Sequence, residues 1–221
     1  MVEFIEGPLI LMSFILFFLG VLFQIYRFFS LTREKDRVFL NLEIKKQSSP
    51  QGWGLQVRTW IKLLKGTIFG THPVVIGATC LFHILIFIVP IFLLAHHILL
   101  EAAWGIQLWS FCESTSDALT LLVLLGGLFF LCRRLFLRRV RSITTSYDYL
   151  VLLIALAPFI TGFFATHQWF DYRTMIFLHI LSGEIMLITL PFTRLAHMIF
   201  FFLYRFMIGS EYSFARGTRT W

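Results

Sequence analysis

The sequence predicts an all-α integral membrane protein with five transmembrane helices, and three observations carry that prediction. Of its 221 residues, 58% are hydrophobic and only 14% charged, whereas about a quarter of a soluble domain is charged. Five apolar runs each reach the ~17–25 residues that a spanning helix needs. The basic residues then fall in blocks between alternate runs, as cytoplasmic loops require.

The runs cover residues 8–29, 74–100, 118–137, 149–166 and 174–203. The first follows "MVEFIEGPL", which is acidic and lacks a basic leader, so it reads as a retained helix rather than a cleaved signal peptide. Residues 30–73 form the one long non-spanning piece. Within it "KKQSSPQGWG" is a turn-rich break, and "LQVRTWIKLLKGTIFG", with Trp60 beside lysines, reads as an interfacial helix. It either lies on the inner leaflet or docks a cytoplasmic partner. No internal repeat is visible, so residues 1–221 are expected to form a single domain.

Orientation follows from Lys and Arg. The end of the first run with the segment after it, the connection 133–141 and the C-terminal side hold every one of the 19 basic residues except Arg173. With five spans those regions share one face, which puts the N-terminus in the periplasm and the C-terminus in the cytoplasm of a bacterial inner membrane. The net charge of +7 is therefore a topology signal and not a nucleic-acid patch. Cys80, Cys112 and Cys132 make neither a CxxC pair nor a CxxCH haem-attachment motif, and they read as small packing residues.

Ionisable side chains inside a membrane are functional candidates by default. His83, His96 and His97 lie on the second run, and His179 and His197 bound "HILSGEIMLITLPFTRLAH" on the fifth. On an ideal helix eighteen residues make close to five turns, so His179 and His197 share a face about 27 Å apart. The second and fifth helices run in opposite directions. His83 therefore meets the level of His197 on the cytoplasmic side, and His96 or His97 meets His179 on the periplasmic side. Two imidazole pairs at two depths suit two b haems, each held by two axial histidines. Zinc fits less well, because neither level offers Cys or carboxylate ligands. An ideal helix brings His97 nearer the face of His83, but Pro90 between them should distort it, so the choice stays open.

Secondary candidates surround the histidines. Arg194, one turn before His197, suits a haem propionate or a snorkelling role. Gly183, one turn after His179, either makes room for haem or packs helices. Glu184 and His167 are candidates for quinone or proton chemistry, against plain structural and solvated readings. His72 sits where the second helix begins. "FCESTSDA" (111–118) offers Glu113 and Asp117 to a basic partner outside.

"RRLFLRRVRSITTSYDYLVLL" (133–153) resembles the connection between helices three and four of the γ subunit of respiratory nitrate reductase, a membrane cytochrome b. "HILSGEIMLITLPFTRLAH" resembles its last helix, and "LFHI" (81–84) the start of its second. The resemblance covers roughly residues 75–200. It implies a five-helix haem-binding bundle with two stacked b haems, His83 and His197 on one, and His179 with a second helix-two histidine on the other. That second histidine comes three or four residues late and the first loop is long, which is similar to the cytochrome b subunits of Tmc- and Hmc-type transmembrane redox complexes of sulfate-reducing bacteria. The likeness of "PIFLLAH" to that group favours His96. It implies a cytoplasmic iron–sulfur partner related to heterodisulfide reductase and a periplasmic multihaem cytochrome c. Menaquinone is an additional cofactor if a quinol site exists. The expected role is electron relay within an oxidoreductase complex, not bond chemistry by this chain. A quinol-oxidising γ subunit and a non-haem proton-relay transporter are the alternatives; the second would show internal repeats and broken helices, which the sequence does not announce.

Overall fold

The computed structural model describes residues 5–32, 72–106, 109–201 and 203. The interfacial helix expected near Trp60 and the basic residues beyond Leu203 lie outside them. All regular structure among the described residues is helical. Five helices, Gly7–Ser30, Pro73–Phe92, Glu113–Phe136, Ser146–His167 and Tyr172–Phe192, are long and apolar enough to cross a membrane, so the chain is a multi-pass membrane protein.

A π-helical turn at Ile5–Leu9, containing Pro8, leads into α1 (Ile10–Thr32). Helix α2 (Pro73–Phe92) starts on a proline, whose missing N–H is harmless in a first turn. It stops after Pro90: Leu93 is extended (φ −73°, ψ 127°), and a separate α3 (Leu94–Trp104) follows. Gly105 closes α3 in the left-handed region (φ 67°), its N–H donating to the Glu101 carbonyl at 2.8 Å. Helix α4 (Glu113–Phe136) carries Glu113 in its first turn and Arg133 and Arg134 in its last, each sign matching the helix dipole. The acidic segment 111–118 is thus mostly the opening turns of a helix and not a free loop.

Helix α5 (Ser146–His167) opens where the Asp148 carboxylate accepts from the Thr145 N–H at 2.8 Å and its hydroxyl at 2.9 Å. Helix α6 (Tyr172–Thr189) opens with the roles exchanged, Asp171 just before it accepting from the Thr174 N–H at 2.9 Å and its hydroxyl at 2.7 Å.

The expected unbroken fifth helix, 174–203, is corrected by the structure. Beyond Thr189 the chain makes two 3₁₀ turns, Leu190–Phe192 and Arg194–Ala196, with Thr193 extended between them, and becomes α-helical again at His197. Pro191, lacking an N–H, cannot continue the ladder. A 3₁₀ residue also advances about 120° where an α residue advances about 100°. The straight-helix alignment of His179 with His197 therefore does not hold.

The described chain divides into two compact units: Met1–Leu11 with Val74–Met186, and Met12–Pro73 with Leu187–Trp221. In the first, Phe82, Leu85 and Val89 of α2, Val123 of α4 and Phe159 of α5 form the buried core. Small residues let these helices close up: a Cβ on Gly126 would lie 2.9 Å from the Phe82 ring, and one on Gly127 would overlap Leu156. In the second, Gln24 donates to the Pro191 carbonyl at 2.7 Å, and Gly20 admits the Pro191 and Phe192 side chains.

Candidate functional site

The break at Leu93 places His96. A helix end leaves carbonyls without intrahelical donors. At the end of α2 the Pro90 carbonyl accepts from His96 Nδ1 at 2.8 Å, and the Phe92 carbonyl from the Phe111 N–H at 3.0 Å. His97, next in sequence, turns the other way. It is 4% exposed, with neither ring nitrogen hydrogen-bonded.

His179 of α6 is positioned by α5. Its Nδ1 lies 2.8 Å from the Pro158 carbonyl. The approach depends on Gly162, one turn further along α5, where an added Cβ would stand 2.9 Å from Nδ1 and Cε1 of the ring. Thr161 and Ser182 strengthen the same seam: their hydroxyl oxygens are 3.4 Å apart, and Ser182 donates to the His179 carbonyl at 3.0 Å.

These two histidines come together. The His96 and His179 ring centres are 6.0 Å apart, with planes inclined by 24°. A metal–imidazole bond is about 2 Å, and each ring centre lies roughly 1 Å behind its nitrogen, so two imidazoles sharing one ion have centres about 6 Å apart. The tautomer is fixed by the hydrogen bonds. A carbonyl oxygen only accepts, so Nδ1 carries the proton and Nε2 keeps the lone pair that binds a metal.

The other two expected ligands carry the same arrangement. His83 Nδ1 donates to the Thr79 carbonyl at 2.7 Å, and His197 Nδ1 to the Arg194 carbonyl at 2.6 Å. His83 belongs to the first compact unit and His197 to the second. Among the described residues no group of three or more His, Cys, Asp or Glu could hold a metal ion. The His96–His179 pair offers two protein ligands, the number a haem iron takes, whereas a bare ion in a closed structural site takes four.

The remaining candidates separate. Arg194 is exposed, and its backbone carbonyl serves His197. Gly183 faces open space, with nothing within 4 Å of the point where a methyl group would stand, so it is Gly162 that a histidine requires. Glu184 is 4% exposed, and neither carboxyl oxygen has a hydrogen-bond partner. His167 Nε2 lies 3.4 Å from Asp117, while its Nδ1 donates to the Phe163 carbonyl at 2.9 Å. His72 is exposed just before α2. Cys80 and Cys112 are exposed, which corrects their reading as packing residues, and Cys132 is partly buried.

Reading the sequence alone missed Gly162. The available signal was Pro158 and Gly162 one turn apart on α5, a carbonyl and a gap on one face, but nothing local connects them to His179.

No protein-family model matches the chain, and no solved structure matches it. A curated protein of Nitratidesulfovibrio vulgaris (strain Hildenborough), described only as "Protein", is 34% identical over 223 residues, an alignment covering 100% of this chain and 97% of the relative. The chain belongs to the same family as that protein.

Proposed function

We propose that this protein is the di-haem b membrane subunit of a respiratory redox complex. It would relay electrons across a bacterial inner membrane between a periplasmic multihaem cytochrome c, or the quinone pool, and a cytoplasmic iron–sulfur subunit of the heterodisulfide-reductase-like class. The observation that carries this reading is the His96–His179 pair: two imidazoles 6.0 Å apart, each with Nδ1 committed to a backbone carbonyl. In this reading His96, not His97, joins His179 on the periplasmic-side haem, and His83 and His197 hold the cytoplasmic-side one. Bound haem supplies one-electron chemistry, with a potential set by axial ligands, burial and hydrogen bonds.

The protein's own part is positional. Carbonyl acceptors hold each imidazole in the Nε2-ligating tautomer and raise its basicity. The apolar core of α2, α4 and α5 keeps water away. Arg194 is assigned to a haem propionate, and the N-terminus out, C-terminus in orientation follows the basic residues.

The His167–Asp117 pair favours one variant of this reading, in which the subunit also oxidises a quinol such as menaquinone. The imidazole would accept a quinol proton, with the carboxylate beside it stabilising the imidazolium. The interruptions at Leu93 and Thr193 are features of proton-relay transporters. Here, however, the Pro90, Phe92 and Pro191 carbonyls each already accept a hydrogen bond from a protein donor, and no internal repeat accompanies the breaks.

Reduced-minus-oxidised visible spectra of His96→Ala and His97→Ala test the assignment. His96→Ala is expected to lose one low-spin b signal while His97→Ala keeps both. Loss on His97→Ala alone would reverse the ligand choice, and no change in either would remove this site from the scheme.

A further inference from the structure

The connection between α4 and α5 carries a feature that electron relay does not use. It joins two membrane-spanning helices, so it lies at a bilayer surface. Residues 133–149 contain Arg133, Arg134, Arg138, Arg139 and Arg141 against a single acid, Asp148. That carboxylate is already committed. Its Oδ2 accepts from the Thr145 N–H and hydroxyl, and its Oδ1 lies 3.8 Å from Arg134. The remaining guanidinium charge has no acidic counterpart on this connection.

Beside these arginines lies a cavity of about 610 Å³ lined by Leu135, Phe136, Arg141, Thr144, Ser146 and Tyr149. Its wall is divided by chemistry. Leu135 and Phe136, 44% and 76% exposed, present hydrocarbon, and Ile143 nearby is 79% exposed. Arg141 brings a charge and the other three bring hydroxyls. The Thr144 hydroxyl is spent on the Val140 carbonyl at 2.8 Å, and that of Tyr149 makes only a long 3.5 Å contact with the Arg134 carbonyl. Arg141, Ser146 and Tyr149 are thus the donors open to an anion.

A free phosphate would use the charge and leave the exposed Phe136 and Leu135 in water. An acidic soluble partner would do the same with Ile143. A lipid uses both halves: arginines at headgroup level attract anionic phosphate, and the apolar side chains meet acyl chains.

We propose that this cavity binds an anionic phospholipid, its phosphate held by Arg141 with Ser146 and Tyr149, and its acyl chains lying against Leu135 and Phe136. The site stands independently of any haem assignment.

The test is native mass spectrometry of the purified full-length protein released from nanodiscs of phosphatidylcholine containing one-fifth phosphatidylglycerol. Phosphatidylglycerol is expected to be retained selectively on the wild-type protein. Removing the cavity's one charge with Arg141→Gln is expected to lower that retention about fivefold. Arg141→Lys should retain most of it, and Arg173→Gln, at the opposite ends of the helices, all of it. Equal retention of the two lipids by the wild-type protein would overturn the proposal without any variant. So would displacement of phosphatidylglycerol by millimolar inorganic phosphate, which would mark a simple phosphate site. If Arg141→Gln keeps its lipid but releases a protein subunit from the purified complex, the face is a protein interface and the lipid site is wrong.

Discussion

Which nitrogen of an imidazole carries the proton, and how close a neighbouring backbone can come, are the two residue-scale facts on which the candidate site rests. The backbone acceptors at Pro90 and Pro158 decide the first; Gly162 decides the second. A methyl group at Gly162 would meet the His179 ring at 2.9 Å, and the ring cannot swing aside without giving up its bond to Pro158. Gly162→Ala is therefore expected to cost about 1–3 kcal/mol in a thermal or denaturant melt, as overpacking does, and to deplete one b haem. Gly183→Ala, facing open space, is expected to change neither quantity. If the two variants behave alike, the packing account of His179 is wrong. The histidines were legible because ionisable groups stand out in apolar runs. Which of His96 and His97 lies beside His179 was not, because it depends on a break that ideal-helix arithmetic ignores. Gly162 was hidden because its importance lies in a neighbouring helix.

Elements were legible where composition alone decides them. All five spans begin close to their expected starts, and the ends that differ have local causes. Asp171 and Thr145 fix where α6 and α5 begin, through hydrogen bonds that no hydropathy pattern records. Pro90 announced a distortion in the second run, yet its extent, a full stop at Leu93, needed the Phe111 N–H from a distant loop to satisfy the freed carbonyl. Pro191 likewise ended a helix that hydropathy extended to Leu203. The cap of α6 yields a pH prediction. The Thr174 hydroxyl and N–H, with a smaller effect of the Arg173 charge, hold the exposed Asp171 carboxyl below the usual carboxylate range. Because the folded value lies below the unfolded one, about 3.9, this contribution is fully present above pH ~4 and disappears as pH falls through the folded value. Asp171→Asn is expected to melt below the wild type at pH 7, with the difference shrinking as the pH is lowered below ~4. A difference that is constant with pH would contradict the assignment.

The whole molecule is a multi-pass membrane protein whose proposed direction of insertion rests on the distribution of Lys and Arg. That orientation puts the start of α4 outside, where Cys112 offers a probe. Its thiol is exposed, and hydrogen bonding from the Thr115 hydroxyl, 3.0 Å away, and from the Thr115 N–H holds it below the usual thiol range. A membrane-impermeant maleimide is expected to label Cys112 in spheroplasts, and Cys112→Ser to abolish that labelling. Labelling that requires permeabilised membranes would invert the topology, and with it the sides assigned to both redox partners. The central claim, however, concerns the histidines. It is tested most directly by the ratio of haem to protein in the purified wild-type chain, measured with its reduced-minus-oxidised spectrum. About two low-spin b haems per chain are expected; a protein that folds and purifies without haem would contradict the proposed function outright.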